Sequence, residues 1–385
     1  MRTIFHIDVN SAFLSWSAVK QLRLKPDKPD LRTLPAIVCA STDRRHGIVT
    51  AKSIPAKAFG IKTGEPIALA LQKCPKLLIV RSDFEVYREY SRQFMTVLRS
   101  FCNRVEQASI DEAYLDMTET MTQLAEIAGQ DHIDPLNIAY DIKNCIKYKL
   151  GFTVNIGIST NKLLAKMASD FEKPDKIHTL YPNEIDTKLW PLPVQDLYGC
   201  GEKTSAKLRQ YGIMTIGEIV KSSLDKLQRI LGRKLGEYIF LSAQGINDSP
   251  VNPIPDARKS YSCELTTEVD ITTENYFEYV PKILDELTQQ LTRRLTRDRI
   301  FGQTLVIIVT TSDFKRHSRQ KVVCATNNRL EIFQSAKYLF DEFLIGKKKD
   351  GFLYQIKGIR LLGIGMTNLT DVCIRQGSLL DYIGN

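Results

Sequence analysis

Three acidic side chains lie beside apolar, strand-like segments of this 385-residue chain and could act together on a substrate. Asp8 comes at the end of the segment TIFHIDV, and Asp111 and Glu112 are neighbours at the start of SIDEAYLD. A carboxylate next to a buried strand is unfavourable unless it is paired or binds a metal ion. Because the side chains of a regular strand alternate between faces, both acids can serve one site only if the backbone turns there.

If these acids lie on neighbouring strands, their mutual repulsion calls for divalent cations. Mg²⁺ prefers oxygen ligands and takes its remaining ligands from water and substrate phosphates. Two such ions about 3.5–4 Å apart would clamp the attacking and leaving oxygens of a phosphoryl transfer. Spacing alone leaves an alternative open, in which Glu112 is an exposed charge at a strand end and Asp8 caps a turn.

The elements that must position these acids follow an α/β pattern over residues 1–170. Strand-like runs alternate with segments of helical period, and these runs are Thr3–Val9, Ile37–Cys39, Leu77–Val80, Ala113–Met117 and Thr153–Ile158. A Pro- and charge-rich break, FEKPDKIHTLYP, follows around residues 171–182, and a helical stretch then extends to about residue 242. The segment GINDSPVNPIPDARKS, residues 245–260, has three prolines and no apolar periodicity, which is typical of a linker.

After this segment the pattern predicts the order strand, helix, strand, strand, helix, strand. That order is typical of a four-stranded antiparallel sheet with two helices on one face and the other face open. Basic residues outnumber acidic ones here, and Arg316, Arg319 and Lys321 lie on or near one strand, with Arg319 and Lys321 sharing a face. We expect an open basic face that binds a phosphate backbone, although a merely solvated face would have the same pattern.

The composition fits an ordinary globular protein with 43% hydrophobic residues and a formal net charge of +9. The charge favours a polyanionic partner but also suits a soluble surface. The eight cysteines form no CxxC pair, which indicates reduced packing residues. There is no run of about 18 apolar residues and no signal-peptide pattern at the start, so we expect a cytoplasmic protein without a membrane span.

Four segments in the same order, FHIDVNSAF, GIVTAKSIPAKAFGIKTGEPI, SIDEAYLD and GISTNKLLAKMASDFEKP, closely resemble motifs of the Y-family translesion DNA polymerases, most like the bacterial DNA polymerase IV branch. The resemblance implies a right-hand polymerase that acts as a monomer, with a ferredoxin-like palm, small fingers, a helical thumb and a βαββαβ little finger. The implied ranges are palm 1–12 and 76–170, fingers 13–75, thumb 171–243, linker 244–258, little finger 259–370 and tail 371–385.

The resemblance also implies a role for each of the three acids. It implies that Asp8 and Asp111 bridge two Mg²⁺ ions, for which Mn²⁺ can substitute, and that Glu112 helps to hold the ion that activates the primer 3′-hydroxyl. The backbone carbonyl of Val9 completes the nucleotide-side ion. Asp8, Asp111 and Glu112 are thus the implied catalytic residues, and a tight turn before Glu112 would let both adjacent acids reach the metals.

The resemblance places the nucleotide-binding residues near these acids. Phe13 matches a steric gate that excludes a 2′-hydroxyl, although an aromatic in a helix core would leave the same sequence signal. Lys57 stands where many relatives have a triphosphate-binding arginine, and lysine loses the bidentate geometry. Ile54 stands where many relatives have a tyrosine that hydrogen-bonds the triphosphate, so its role is limited to packing near the base or sugar. Lys162 matches a lysine that reaches the incoming phosphates, but it could equally be a solvated lysine in the first turn of a helix.

Two further departures concern the opening motif, where Asn10 replaces a common acid and Ala12 a common aromatic residue. In the segment LYGCGEKTSAKLRQYGIMTIGEI, residues 197–219, Gly199 and Gly201 resemble the turn of a helix-hairpin-helix that binds a DNA phosphate. The tail VCIRQGSLLDYIGN contains Gln376, Leu379 and Leu380, which resemble a peptide that binds the sliding clamp. A tail packed on its own domain is the alternative.

We therefore predict a template-directed, low-fidelity DNA polymerase that acts on primer–template DNA and deoxynucleoside triphosphates in translesion synthesis. A noncatalytic DNA-binding scaffold at stalled forks is the alternative, and three retained acids argue against it. A nucleotide cyclase with a similar sheet would explain the acids but not the thumb, the linker and the basic C-terminal domain.

Overall fold

The computed structural model describes residues 2–41, 47–347 and 350–372. The chain divides into two compact units, Met1–Pro255 and Asp256–Asn385. Within these described ranges, no helix is long and apolar enough to cross a membrane.

The described residues of the first unit form eight strands and eleven α-helices. The strands are β1 (Ile4–Val9), β2 (Ala36–Cys39), β3 (Val49–Lys52), β4 (Leu78–Arg81), β5 (Val105–Gln107), β6 (Glu112–Asp116), β7 (Val154–Ser159) and β8 (Ile177–Thr179). The helices are α1 (Ala12–Leu24), α2 (Ile54–Ala58), α3 (Ile67–Lys73), α4 (Phe84–Phe101), α5 (Thr118–Ala128), α6 (Pro135–Leu150), α7 (Lys162–Asp170), α8 (Glu202–Gln210), α9 (Ile216–Lys221), α10 (Leu224–Leu231) and α11 (Arg233–Ala243).

A five-stranded sheet in the order β5-β6-β1-β7-β8 forms the centre of the first unit. The central strand β1 pairs with β6 and β7 in antiparallel fashion, and all six of its residues are buried. The two-residue period of a strand sends Phe5, Ile7 and Val9 into the main core, which residues of α4 and α6 complete. His6 and Asp8 therefore point to the opposite face, which α7 covers.

A smaller three-stranded sheet in the order β3-β2-β4 is packed with α2 and α3 around its own apolar cluster. Strand β3 was missing from the sequence prediction, as were the three-residue strands β5 and β8 of the central sheet. The helices α8–α11 enclose a third cluster that contains Leu208, Ile216, Leu227 and Ile239.

Part of the segment predicted as linker is packed on the first unit. Val251 is only 2% exposed and lies in a small cluster with Ile4, Tyr114 and Ala165. The backbone N–H of Asn252 donates to the Glu106 carboxylate at 2.7 Å. The proline-rich composition gave no sign of this contact, because a single valine has no periodicity.

The second unit has the predicted order of elements, β9 (Ser260–Ile271), α12 (Tyr276–Arg297), β10 (Phe301–Thr311), β11 (Arg316–Thr326), α13 (Arg329–Phe340) and β12 (Ile359–Thr370). The four strands form an antiparallel sheet in the order β11-β10-β12-β9. The leucines of α12 at positions 284, 287, 291 and 295 are buried against Leu305, Ile307 and Ile364 of the sheet. Both helices thus pack on one face, as the sequence predicted.

Candidate active site

A cleft of about 770 Å³ opens in the first unit at the end of β1 and brings together the predicted catalytic, metal-binding and nucleotide-binding residues except Lys162. Its lining includes Asp8, Val9, Asp111 and Glu112 on the side of the central sheet. The side formed by α1 and the small sheet contributes Phe13, Ile54 and Lys57. Residues separated by a hundred positions in the chain therefore share one concave surface.

A tight turn joins β5 to β6 and places the two adjacent acids. The backbone N–H groups of Ala108 and Ser109 both donate to the carbonyl of Glu112, at 3.0 and 3.2 Å. The Ser109 hydroxyl donates to Asp111 Oδ1 at 2.7 Å, and the N–H of Val9 donates to the carbonyl of Asp111 at 3.1 Å. The turn thus ties the Asp111 backbone to the end of β1.

Strand register brings Asp8 and Glu112 face to face, because they are direct partners in the β1–β6 pair. Asp8 is buried, and the side chain of Glu112 is 27% exposed. Asp8 is therefore not a turn cap, and Glu112 is not a fully solvated charge. Both belong to one polar cluster under α7.

Two lysines neutralise this cluster. Lys166 of α7 donates to Glu112 Oε1 at 2.8 Å, and its Nζ lies 3.3 Å from Asp170 and 3.9 Å from Asp8. Lys173 pairs directly with Asp8 and lies 2.8 Å from Asp170 Oδ1. Lys166 is 8% exposed, so its charge would be unfavourable there without these carboxylates.

A buried histidine completes the cluster. His6 Nδ1 lies 2.8 Å from the Ser169 hydroxyl, which donates to the carbonyl of Lys166. Because that hydroxyl hydrogen is already used, Nδ1 is the donor to Ser169. His6 Nε2 then faces Glu112 Oε2 at 3.8 Å, beyond hydrogen-bonding distance.

The pKa shifts follow from burial and charge. Burial raises the pKa of the Asp8 carboxyl, and Lys173 and Lys166 offset only part of this effect. A protonated His6 would lower the pKa of the Glu112 carboxyl most, burial opposes this effect, and the Lys166 ammonium group lowers the pKa further. Burial lowers the pKa of His6, which keeps the imidazole neutral.

The donor chemistry of this cluster suits a hard divalent cation. The carboxylates of Asp8, Asp111 and Glu112 and the carbonyl of Val9 are all oxygen donors, as Mg²⁺ prefers. The ammonium group of Lys166 already lies between Glu112 and Asp8, so the position attracts positive charge. In the part of the chain that the structure describes, however, no three His, Cys, Asp or Glu side chains converge closely enough to hold a metal ion.

Phe13 lies at the floor of the cleft, near the start of α1. Its ring is stacked on Tyr87 with centroids 4.7 Å apart, and it meets Phe84 edge-on at 5.5 Å. The side chain is half-buried, so one part packs in the core and another faces the cleft. The two sequence interpretations of Phe13, core aromatic and gate, are therefore compatible.

Lys162 does not line the cleft, in contrast to Ile54 and Lys57. Its ammonium group donates to both oxygens of Glu106, at 2.6 and 2.7 Å, and lies over the ring of Tyr114. It is therefore not a solvated lysine. Its predicted contact with the incoming phosphates would require this ion pair to open.

The two departures in the opening motif, Asn10 and Ala12, are both buried. Asn10 donates to Asn155 Oδ1 at 3.0 Å, and its Oδ1 accepts from the Thr153 hydroxyl and the N–H of Asp175, each at 2.9 Å. Asn10 therefore links β1, β7 and the segment after α7. Ala12 is buried at the start of α1.

The two thumb glycines have different surroundings. Gly199 has a φ of +86°, and a Cβ there would lie 2.6 Å from the Tyr238 ring, so both backbone and packing require glycine. Gly201 precedes α8, and a Cβ there would meet nothing within 4 Å. A 3₁₀ turn, Val194–Asp196, precedes these glycines.

The predicted basic face of the second unit needs a correction. Arg319 and Lys321 pair in register with Ile307 and Leu305, whose side chains point into the core under the helices. Arg319 accordingly lies over the ring of Phe343, and Lys321 over that of Tyr338. The open face of β11 carries Arg316, which pairs with Glu264, and the largely exposed Val322.

Comparisons with known proteins agree with this architecture. Family profiles match residues 7–170 (impB/mucB/samB family), 195–247 (DNA polymerase-iota, thumb domain) and 258–379 (impB/mucB/samB family C-terminal domain). DNA polymerase IV of Clostridium acetobutylicum is 38% identical over 99% of this chain and 90% of its own length. DNA polymerase IV 1 of Bacillus subtilis is 33% identical over 96% of this chain and 83% of its own.

The chain belongs to the impB/mucB/samB family. A solved structure of a Y-family DNA polymerase chimera matches it with a TM-score of 0.79 at 24% identity, over 95% of this chain and 98% of the other. The predicted resemblance to Y-family polymerases and the predicted fold class are confirmed.

Sequence reasoning about this family member missed two lysines of the cluster. Lys166 is one helical turn after Lys162, and that i, i+4 spacing could have indicated it. Lys173 belongs to the fourth motif, but the composition of its segment, FEKPDK, predicts only a Pro- and charge-rich break. The clamp-binding prediction for Gln376, Leu379 and Leu380 falls outside the described residues.

Proposed function

We propose that this chain is a template-directed, low-fidelity DNA polymerase that carries out translesion synthesis by nucleotidyl transfer. The observation that carries the proposal is the single cleft that brings Asp8, Asp111 and Glu112 together with Phe13 and Lys57. The match to DNA polymerase IV sequences over nearly the whole chain supports it.

In the reaction, the 3′-oxygen of the primer bonds to the α-phosphorus of the deoxynucleotide, and the bond from this phosphorus to the bridging oxygen breaks. The hydroxyl proton is released, and pyrophosphate leaves. Asp8, Asp111, Glu112 and the Val9 carbonyl would hold two Mg²⁺ ions, with Mn²⁺ as a substitute. Such ions, when bound, stabilise the attacking and leaving oxygens of an in-line displacement.

Residues of the chain itself balance the negative charge of the site and shape the space for the nucleotide. Lys166 and Lys173 balance the carboxylates of Glu112 and Asp8 inside the cleft. Phe13 excludes a ribonucleotide by its bulk, and Ile54 packs near the base or sugar. Lys57, and Lys162 once its ion pair with Glu106 opens, contact the triphosphate.

DNA contacts come from both units. The backbone near Gly199 and Gly201 approaches a DNA phosphate, which the open space beside Gly201 supports. In the second unit, Arg316 reaches DNA from the open sheet face, whereas Arg319 and Lys321 extend along the β11 edge from the helix side. Such contacts to phosphates position the protein on the DNA without recognising the base sequence.

We also assign the palm, fingers, thumb and little-finger ranges as predicted from the sequence. The division between the two compact units falls between residues 255 and 256, which supports a linker at 244–258. The tail motif at Gln376, Leu379 and Leu380 supports a sliding clamp as partner of a monomeric polymerase. The clamp assignment rests on the sequence alone. Deleting residues 371–385 should spare basal synthesis and abolish stimulation by the clamp, and stimulation of the shortened protein would refute it.

The deciding experiment is primer extension with Mg²⁺ and the four deoxynucleotides, comparing the natural sequence with Asp111→Ala. Template-directed, error-prone extension that the substitution abolishes would support the polymerase. Extension across a template lesion would then support translesion synthesis. DNA binding without extension by either protein would favour the scaffold alternative.

A further inference from the structure

Strand β3 presents a lysine to the cleft at a position that none of the predicted roles uses. The strand alternates in burial, with Val49 and Ala51 inside the small sheet and Thr50 and Lys52 half-exposed. Thr50, Ala51 and Lys52 all line the cleft. Lys52 therefore borders the same space as Lys57 and the carboxylates of Asp8, Asp111 and Glu112.

The ammonium group of Lys52 lacks a compensating partner, and so does that of Lys57. Within the described ranges, neither side chain forms an ion pair or a hydrogen bond. Glu65 is an acid whose charge acts on Lys52, but its carboxylate is engaged by Lys73 at 2.5 Å. Burial lowers the pKa of Lys52, and the nearby charge of Lys57 lowers it further.

Two adjacent, unpaired cations at the wall of a cleft are unfavourable for the protein alone. A polyanion in the cleft would remove their repulsion and gain attraction from both. The other charged groups that face this space are the carboxylates of Asp8, Asp111 and Glu112, the Asp30–Arg32 pair and Lys173. Of these cations, Lys173 is paired with Asp8 and Arg32 with Asp30.

We infer that Lys52 is a phosphate-binding residue that holds the triphosphate of the incoming nucleotide together with Lys57. The inference rests on the proposed polymerase function and adds a contact that no motif assigned. The need for such a contact has a physical reason in this chain. Lys57 carries a point charge where an arginine would bind a phosphate through two hydrogen bonds, and Ile54 has no side-chain hydrogen-bond donor. The ammonium group of Lys52 would replace the hydrogen-bond donors that an arginine and a tyrosine at these two positions would have supplied.

The test compares Lys52→Met with Lys62→Met, a nearby exposed lysine that does not line the cleft. Methionine keeps most of the side-chain length and removes the charge. In single-nucleotide insertion, we expect Lys52→Met to raise KM for the deoxynucleotide about tenfold with a smaller change in kcat, because the lost contact forms in the ground state. Lys62→Met should leave KM unchanged, and Lys52→Arg should keep it near the natural value.

A binding measurement separates this role from a structural one. The affinity of dTTP for the protein on a dideoxy-terminated primer–template should fall about tenfold in Lys52→Met. The melting temperature should stay equal or rise, because a charge next to Lys57 has been removed. Equal dTTP affinity and KM in the Lys52 and Lys62 variants, with active natural protein, would overturn the inference alone. Absence of extension by the natural protein would overturn the proposed function and this inference with it.

Discussion

Asp8 and Glu112 occupy directly opposed positions of the antiparallel pair β1–β6, so two acids separated by more than a hundred residues share one cluster. Lys166 reaches both from α7, at 2.8 Å from Glu112 and 3.9 Å from Asp8. The cluster is thus held together by ion pairs between residues distant in the chain. The balance of charge in this cluster should control the stability of the fold and the change of that stability when Mg²⁺ is added.

Lys166→Met should destabilise the metal-free protein by about 2 kcal/mol, because it leaves carboxylates in a poorly solvated site without their cation. Added Mg²⁺ should restore part of this loss, as a second source of positive charge. Urea unfolding with and without Mg²⁺ measures both effects. Lys176→Met is the matched control, since Lys176 forms only an exposed pair with Glu172. Equal losses in the two variants would refute the charge-balance account.

Phe13→Ala should raise the relative incorporation of ribonucleotides about tenfold or more, because the ring no longer blocks the space beside the sugar. The loss of stacking on Tyr87 should also lower stability. Competition between a ribonucleotide and its deoxynucleotide measures discrimination separately from total activity. Phe13→Leu keeps much of the bulk and serves as the control. Unchanged discrimination in Phe13→Ala would leave Phe13 with a packing role only.

Val251→Ala should weaken the attachment of the segment before residue 256 to the first unit. Removing two buried carbons should lower the free energy of unfolding by about 1 to 2 kcal/mol. The chain's two tryptophans, Trp16 and Trp190, both lie in the first unit, so their fluorescence reports its unfolding in urea. The control is Ile254→Ala, because Ile254 is 77% exposed. Faster trypsin cleavage after Arg258 only in the Val251 variant would support the attachment.

Cys200 and Cys263 should react slowly with iodoacetamide at pH 8, whereas the exposed Cys324 reacts faster. Burial raises the pKa of both thiols to about 11, despite the opposing charges of Arg209 and Arg294, so the reactive thiolate is scarce. Time-resolved alkylation with peptide mapping tests the order, and equal rates at all three positions would contradict it.

The same shifts predict a change of stability with pH. Between about pH 9 and pH 11, the unfolded chain has lost the protons of Cys200 and Cys263, while the folded protein retains them. The free energy of unfolding should therefore fall as the pH rises through this window. Replacing both cysteines with alanine should reduce this part of the pH dependence, measured against the natural sequence.

The sequence by itself determined the order of elements in the second unit and the position of the three acids beside strands of the first unit. Strand alternation places His6 and Asp8 on one face of β1, and the βαββαβ pattern of the second unit follows from local periodicity. These features depend on residues close in the chain, where the backbone geometry repeats at a fixed interval.

Only the tertiary structure decided which side chains meet and which way each face points. Periodicity put Arg319 and Lys321 on one face of β11, but the packing of α13 made it the helix side. In the first unit, the packing of α7 paired Lys162 with Glu106 and Lys166 with Glu112, and the segment after this helix brought Lys173 to Asp8. Such contacts join residues 54 or more positions apart, and no local pattern encodes them because their geometry arises from how whole elements pack.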